Sequence, residues 1–316
     1  MDSVCTLAKH PTQAIFGIDL EGNPLVKNIC EGPHYLVGGQ TGSGKSVFVN
    51  HLLISMMVHT TPDELQIIWI DPKKVEASAY IDLPFCPINP VTDMQDAYAL
   101  IQYLAWLMDE RYEVLSRFNM KKIDSLNEFV EAKPEEARLK GLEKMPYIVC
   151  IIDEYADMAM QVPDVEKGII RLGQKARASG IHLIVATQRP SAELISPSLK
   201  ANIPSRVGMK TADSVNSYIL LDQDGCENLN GYGDCYVKDV TGDITRVQGP
   251  YISDGEIDKI FSYLREKYGR PNQIDYKSKV VELGLAEWVE DYDDSVPMEE
   301  RHVKKAGRGR RGGMFG

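Results

Sequence analysis

Apolar residues along this chain come in short continuous runs that alternate with longer segments of helical spacing. Four runs have the length of a buried strand: residues 35–37, 66–70, 147–152 and 181–186. Three other segments have helical length or spacing: residues 47–58, 97–115 and 165–179. Continuous apolar strands separated by helices are typical of parallel sheets buried on both faces. The pattern predicts an α/β fold with a mostly parallel central sheet covered by helices on both faces.

The pattern after residue 200 indicates more strands and one last long helix. Residues 205–209, 234–238 and 244–248 have strand character and are expected near one edge of the sheet. Ser253 and Glu256 have the spacing of a capping box, which predicts that a helix begins there. We expect this helix to end near residue 269.

These patterns divide the chain into three parts. We expect an N-terminal segment at 1–33 to pack on a main domain at 34–272, which a tail at 273–316 follows. Residues 282–300 carry eight acidic groups and no Lys or Arg, whereas residues 301–316 carry six Lys or Arg and five glycines. Opposed charge blocks with few apolar residues predict a flexible tail.

Composition favours a cytoplasmic protein. No run of 18 apolar residues occurs, so no membrane span is expected, and the first residues lack the pattern of a secretory signal. The six cysteines form no C-x-x-C pair, and reduced thiols are therefore expected. The net charge of −11 argues against a protein that coats nucleic acid with a basic surface. It argues only weakly against one that grips DNA inside a narrow pore.

A complete phosphate-binding motif follows the first apolar strand. Its residues are Gly39, Gln40, Thr41, Gly42, Ser43, Gly44, Lys45 and Ser46, which fit G-x-x-x-x-G-K-[ST] between a strand and a helix. Glycines let backbone N–H groups curl around phosphate oxygens, and the helix directs its positive end at the same anion. We therefore expect ATP here, with Lys45 on the β and γ phosphates and Ser46 as a ligand of Mg²⁺.

Polar residues at the ends of later strands are candidates for hydrolysis. Asp153 and Glu154 end the strand 147–152, where Asp153 is expected to hold Mg²⁺ and Glu154 to activate the attacking water. Gln188 ends the strand 181–186 and is a candidate sensor of the γ-phosphate. For the segment 71–74, Asp-Pro-Lys-Lys, a functional role and a plain strand exit are equally compatible with the sequence.

The ordered set of motifs resembles the motor domain of the FtsK/SpoIIIE DNA translocases over roughly residues 15–265. The resemblance rests on the segments 38–49, 71–73, 91–94, 111–112, 146–149, 153–157, 174–183, 186–190, 200–206, 221–223 and 231–234. It implies a RecA-like P-loop ATPase that assembles as a hexameric ring and drives double-stranded DNA through its pore. From spacing alone Arg177 would lie on a solvated basic helix face, but the resemblance makes it the expected arginine finger, with Arg206 as second candidate.

The chain also departs from that family. We identify neither a membrane span nor the C-terminal module that reads DNA sequence, and residues 215–218 lack the basic groups with which relatives contact DNA. The basic block of the tail either replaces part of this contact or only solubilises the chain.

Three functions are therefore compatible with the sequence. The first is an ATP-driven double-stranded DNA translocase that acts as a ring. The second is a viral or mobile-element DNA packaging or conjugation ATPase, docked on a membrane or portal partner. The third is an ATP-dependent assembly switch without translocation, which DNA stimulation of the ATPase would distinguish from the other two.

Overall fold

A computed structural model of the chain describes residues 9–73 and 77–285, so the basic block of the tail and Lys74 lie outside the described residues. The nine strands of its single sheet are β1 Gln13–Asp19, β2 Pro24–Asn28, β3 His34–Gly38, β4 Leu65–Ile70, β5 Tyr147–Ile152, β6 Ile181–Thr187, β7 Ser205–Met209, β8 Asp234–Lys238 and β9 Ile244–Gln248. Their order across the sheet is β2-β1-β9-β8-β7-β3-β6-β5-β4.

The helices of the described residues flank this sheet. They are α1 Lys45–Met57, α2 Met94–Arg117, α3 Ile123–Ala132, α4 Pro134–Leu139, α5 Tyr155–Gln161, α6 Val165–Lys175, α7 Pro197–Asn202, α8 Ser214–Leu221, α9 Asp254–Tyr268 and α10 Tyr276–Glu282. Two short 3₁₀ turns, Ala77–Tyr80 and Cys226–Asn228, complete the regular structure of this part of the chain. None of the helices in the described ranges combines the length and apolarity that a membrane crossing requires.

The sheet is parallel in one half and antiparallel in the other. Strands β7, β3, β6, β5 and β4 run parallel, whereas β7-β8, β8-β9, β9-β1 and β1-β2 pair in antiparallel fashion. The prediction of a mostly parallel sheet therefore holds only for the half formed by β7, β3, β6, β5 and β4. Short connections after β1 and β8 do not provide the long crossover that a parallel neighbour needs.

The N-terminal residues change which strands form the edge of the sheet. Strands β8 and β9, expected near one edge, lie inside the sheet because β1 pairs with β9 and β2 pairs with β1. The segment that contains β1 and β2 thus extends the same sheet. Phe16 of β1 is fully buried against Phe48 of α1, which attaches this hairpin to the first helix.

Side chains of each central strand alternate between two cores. In β5, Ile148 and Cys150 join the core that contains α2 and α6, whereas Val149 and Ile151 join the core that contains α1 and α9. Successive strand side chains point to opposite faces, so a strand buried on both faces is apolar at every position. This explains the continuous apolar runs and confirms the predicted α/β class with helices on both faces.

Helix α10 lies within residues that were expected to belong to the tail. Asp275 caps its first turn by accepting a hydrogen bond from the N–H of Ser278 at 3.0 Å. Tyr276 and Val280 are buried in the core that α2 forms. The last helix therefore buries apolar surface, although its seven residues carry only a weak helical signal in sequence.

We expect Val280→Ala to lower the free energy of unfolding by on the order of 2 kcal/mol, because two buried methyl groups are lost and a cavity remains. Urea unfolding followed by circular dichroism measures the change. Val240→Ala is the matched control, since Val240 is half exposed and its truncation should alter stability little. Equal stability of the Val280 variant and the wild type would contradict the packing of α10.

Candidate nucleotide-binding site

The glycine-rich motif forms a tight loop between β3 and α1. Gly42 and Gly44 have φ angles of 82° and 96°, in the left-handed region that favours glycine. A Cβ atom at Gly44 would lie 2.5 Å from the backbone N of Gly233, which leaves no room for a larger residue. The loop is therefore shaped by glycine at the positions where the sequence motif requires it.

The loop fits a bound phosphate group. Helix α1 begins at Lys45 without a side-chain cap, so the N–H groups of its first turn are available to an anion. The hydroxyl of Ser43 is buried and has no hydrogen-bond partner within the described residues. The phosphate oxygens of a triphosphate chain would accept hydrogen bonds from these N–H groups and from the hydroxyl of Ser43.

Lys45 connects this loop to the end of β5. Its Nζ donates to Asp153 Oδ1 at 2.9 Å and to the carbonyl oxygen of Asp153 at 2.6 Å. Both side chains are almost fully buried, with 3% and 4% of their surfaces exposed. The lysine predicted to bind phosphate and the aspartate predicted to bind metal are thus in direct contact.

The donor set near Lys45 suits Mg²⁺. Ser46 follows Lys45 directly, and Asp153 lies against it, so one hydroxyl and one carboxylate lie near the phosphate loop. Mg²⁺ is usually held by one or two such groups together with substrate phosphates and water. Within the described ranges no cluster of three His, Cys, Asp or Glu side chains could hold a metal by itself. A magnesium ion shared with a nucleotide is compatible with both observations.

The carboxylate of Glu154 is held by several donors. Thr187 Oγ1 donates to Glu154 Oε1 at 2.7 Å, the N–H of Gln188 donates to the same oxygen at 3.1 Å, and Lys73 Nζ donates to Oε2 at 3.1 Å. Only 2% of the Glu154 side chain is exposed. These contacts fix the orientation of the carboxylate that the sequence identifies as the base.

Two of these partners change the interpretation of the sequence. Thr187 was not recognised, because a threonine at the end of a β-strand is common and carries no distinctive signal. Lys73 belongs to the segment for which two readings were open, and the structure places its ammonium on Glu154. The same ammonium lies 3.9 Å from Asp157, in the first turn of α5.

Gln188 lies between the phosphate loop and the base. The hydroxyl of Thr41 donates to Gln188 Oε1 at 3.0 Å, while the backbone N–H of Gln188 contacts Glu154. The side chain of Gln188 thus touches the loop that would hold phosphate, and its backbone N–H touches the carboxylate that is predicted to activate water. The structure therefore brings Lys45, Asp153, Glu154 and Gln188 together at the carboxyl ends of β3, β5 and β6.

Arg177 lies at the opposite end of the parallel strands, next to their amino ends. It is exposed in the turn between α6 and β6, and its guanidinium has no hydrogen-bond or ion-pair partner among the described residues. The pKa of His34 is lowered to about 3 and that of His182 to about 4, mainly by burial, and the positive charge of Arg177 contributes to both shifts. These histidines begin β3 and β6, and a seven-residue strand is about 20 Å long. Arg177 is therefore remote from the phosphate loop of its own chain.

Arg206 is buried within its own subunit. Its Nη1 donates to the carbonyl oxygen of Leu220 at 3.1 Å and to the carboxylate of Asp222, and Nη2 donates to the carbonyl oxygen of Lys200 at 3.3 Å. Only 8% of its side chain is exposed. The structure therefore places this second candidate finger in an ion-pair network within its own chain.

The chain is similar in sequence to bacterial DNA translocases. A profile of the FtsK/SpoIIIE family matches residues 2–192. The DNA translocase SftA of Bacillus subtilis is 39% identical over 286 residues, which are 90% of this chain and 29% of SftA. The DNA translocase FtsK of Leptospira interrogans is 40% identical over 290 residues, which are 89% of this chain and 30% of that protein. The chain thus spans about three tenths of the length of these relatives.

Solved structures share the fold at lower identity. The cytoplasmic domain of the type VII secretion ATPase EccC of Thermomonospora curvata superposes with a TM-score of 0.69 and 23% identity, over 84% of this chain and 32% of EccC. The pCW3 conjugation coupling protein TcpA, a monomer with ATPγS, superposes with a TM-score of 0.66 and 23% identity, over 81% and 71%. At such identities the likeness establishes the fold alone, which is that of a P-loop ATPase.

The predicted resemblance and the predicted class of P-loop ATP hydrolase are confirmed at the level of family and fold. The family profile covers more than half of the residues and includes the phosphate loop, Asp153, Glu154 and Gln188. This chain belongs to the FtsK/SpoIIIE family.

Proposed function

We propose that this chain is the motor of an ATP-driven double-stranded DNA translocase that acts as a ring in the cytoplasm. The observation that carries the proposal is the contact of Lys45 with Asp153 beside a Glu154 held by Thr187 and Gln188. This arrangement supplies the groups for phosphate binding and water activation. DNA as the substrate is supported by relatives that are DNA translocases, and these favour translocation over packaging or conjugation.

The site residues act in the following roles. The N–H groups of residues 39–46 and the ammonium of Lys45 bind the phosphates of ATP. Ser46 and Asp153 would hold Mg²⁺, which neutralises phosphate charge when bound. Glu154 accepts a proton from the attacking water, and Gln188 positions that water from the other side. Thr187 acts through Glu154 and is a positioning residue.

Arg177 serves the neighbouring subunit in this proposal. It lies at the amino edge of the sheet, too far from its own phosphate loop for contact, and its exposed guanidinium has no partner within the described residues. A turn anchored to the core presents it, because Arg111 donates to the carbonyl oxygen of Ser179 at 2.7 Å and Ala176 is fully buried. A ring in which each amino edge meets the next subunit's phosphate loop would use this arginine in catalysis.

The wild-type chain should displace the third strand of a triplex from linear duplex DNA when ATP and Mg²⁺ are present. Lys45→Ala should lose both displacement and ATP hydrolysis, because no other side chain of the loop carries a positive charge to the phosphates. Triplex release on gels and phosphate release measure the two activities. Lys259→Ala, on the exposed face of α9, is the matched control and should retain both.

Two results would contradict this function. Hydrolysis by the wild type without displacement, and without stimulation by duplex DNA, would favour an assembly ATPase. Near-normal hydrolysis by folded Lys45→Ala would instead place the nucleotide elsewhere.

Thr187→Val should lower kcat for ATP by about 10- to 100-fold and leave KM nearly unchanged. The substitution keeps the volume of the side chain but removes the hydroxyl that donates to Glu154 at 2.7 Å. Steady-state phosphate release measures both constants. Thr187→Ser should restore most of kcat, because it returns the donor.

A buried threonine elsewhere provides the control for this variant. Thr60→Val removes a hydroxyl that donates to the carbonyl oxygen of Met56 at 2.8 Å, so kcat should be unaffected. Glu154→Gln sets the lower limit of kcat, since an amide cannot accept the proton. A Thr187→Val enzyme with normal kcat would show that the orientation of Glu154 does not depend on this donor.

Lys45→Ala and Arg177→Ala subunits should each be inactive alone and recover part of the ATPase activity when mixed. In a mixed ring, some interfaces pair the intact phosphate loop of one subunit with the intact Arg177 of the other. Arg171→Ala is the matched control and should remain active alone, because Arg171 on α6 is bound to Asp109 of its own chain. Absence of recovery in verified mixed oligomers would indicate that Arg177 acts within its own subunit.

A further inference from the structure

The loop before β8 presents an exposed tyrosine in an unusual backbone conformation. Gly231, Tyr232 and Gly233 have successive φ angles of 82°, 53° and 93°. A left-handed conformation is sterically costly for a bulky residue such as tyrosine. Tyr232 is nevertheless 87% exposed, and within the described residues its ring makes no aromatic contact. Strain of this kind persists only where the surrounding structure enforces it.

Hydrogen bonds from three directions fix this loop. The N–H of Gly233 donates to the carbonyl oxygen of Ser43 at 2.8 Å, and Gln248 Nε2 donates to the carbonyl oxygen of Tyr232 at 2.9 Å. The N–H of Gly249 donates to the carbonyl oxygen of Gly233 at 2.8 Å. The tyrosine ring is therefore carried on a backbone that is bonded directly to the phosphate loop.

A salt bridge anchors the end of the same loop. Arg246 donates to both carboxylate oxygens of the buried Asp234, at 3.0 and 2.7 Å. The hydrogen bond from Arg246 is the largest cause that lowers the pKa of Asp234 below its ordinary value, so this carboxylate is ionised. Asp234 in turn accepts from the N–H of Asn230 at 2.9 Å, which fixes the entry to the turn.

The support given to the phosphate loop does not require a side chain at position 232. None of the hydrogen bonds described above uses the side chain of Tyr232; they use its backbone carbonyl oxygen, the backbone of Gly233 and the carboxylate of Asp234. A glycine would adopt the same conformation without strain. The ring is therefore not needed to hold the turn, and its exposed aromatic face is suited to stacking.

The loop lies on the side of the phosphate loop opposite to the catalytic carboxylate. Glu154 follows the end of β5, two strands from β3 on one side, whereas Tyr232 precedes β8, two strands from β3 on the other. A Cβ at Gly231 would lie 3.5 Å from the carbonyl oxygen of Gly42, so the turn borders the middle of the phosphate loop. The proposed function places the γ-phosphate near Glu154, and from there the nucleoside of a nucleotide on the phosphate loop would extend towards this side.

We propose that the ring of Tyr232 stacks on the base of the bound nucleotide. The proposal rests on the function proposed above, because it requires ATP on the phosphate loop. Stacking on one aromatic face recognises the area of the base and not its hydrogen-bonding edge. The site therefore favours purine over pyrimidine nucleotides and discriminates little between adenine and guanine.

Calorimetric titration with two ligands tests this role. Mg·ATPγS carries a base, whereas Mg·tripolyphosphate occupies the phosphate loop without one. Tyr232→Gly should weaken ATPγS binding by about 5- to 100-fold and leave tripolyphosphate binding unchanged, since the variant removes the ring and retains the backbone conformation. Tyr232→Phe should bind both ligands like the wild type. The preference of the wild type for ATP over CTP should shrink in the glycine variant.

A matched variant and three other outcomes complete the test. Tyr263→Gly would disturb helix α9, so Tyr263→Ala, a half-exposed ring on that helix, is the control and should bind ATPγS normally. An equal loss of both ligands in Tyr232→Gly would show that the residue only supports the phosphate loop and would overturn the proposal. Unchanged ATPγS binding with lost DNA stimulation would also overturn it and would place the ring on DNA. A wild-type chain that binds neither ligand would contradict the proposed function itself.

Discussion

The site depends on a buried ion pair between Lys45 and Asp153. The pair joins the first turn of α1 to the end of β5, and both side chains are shielded from water. Buried pairs of this kind add little net stability, because desolvation offsets their attraction, but removing one partner leaves an uncompensated charge that costs about 3–5 kcal/mol. The pair thus fixes the phosphate loop relative to the catalytic strand. It also means that the lysine predicted to bind phosphate and the aspartate predicted to bind metal are adjacent without either ligand.

The two halves of the sheet contribute different parts of the site. The parallel half brings the carboxyl ends of β3, β5 and β6 to one edge, where ligands of open α/β sheets bind. The antiparallel half supplies the turn whose Gly233 donates to Ser43. Gly44 has no room for a side chain because this turn lies against it. Packing against the antiparallel half of the sheet therefore requires glycine at position 44, in addition to any requirement from phosphate binding.

Sequence alone predicted the strands of this fold better than its short helices. Strands β5, β7, β8 and β9 have the expected bounds, because runs that are buried on both faces or end at glycine and charged residues are unambiguous. Helices α3, α4, α5, α7 and α8 were not predicted, since helices this short gain their stability from tertiary packing more than from their own sequence. The interior position of β8 and β9 depends on the pairing of β1 with β9, a contact between residues more than 200 positions apart. For the same reason Thr187 and Lys73 reach Glu154, and the loop of Tyr232 reaches the phosphate loop, only through contacts with distant segments.

The two candidate arginines illustrate what spacing cannot decide. Both follow apolar segments and both match family motifs, yet Arg206 lies within β7 beside Leu36 of β3 and is bound by Asp222, whereas Arg177 lies in an exposed turn. An arginine whose two Nη atoms are already hydrogen-bonded within its subunit would have to give up those bonds to reach a neighbour, and its loss would leave Asp222 without one of its partners. An exposed guanidinium on an anchored turn incurs no such cost. The physical difference between the two arginines is therefore whether the guanidinium is already hydrogen-bonded within its own chain, and not its position along the sequence.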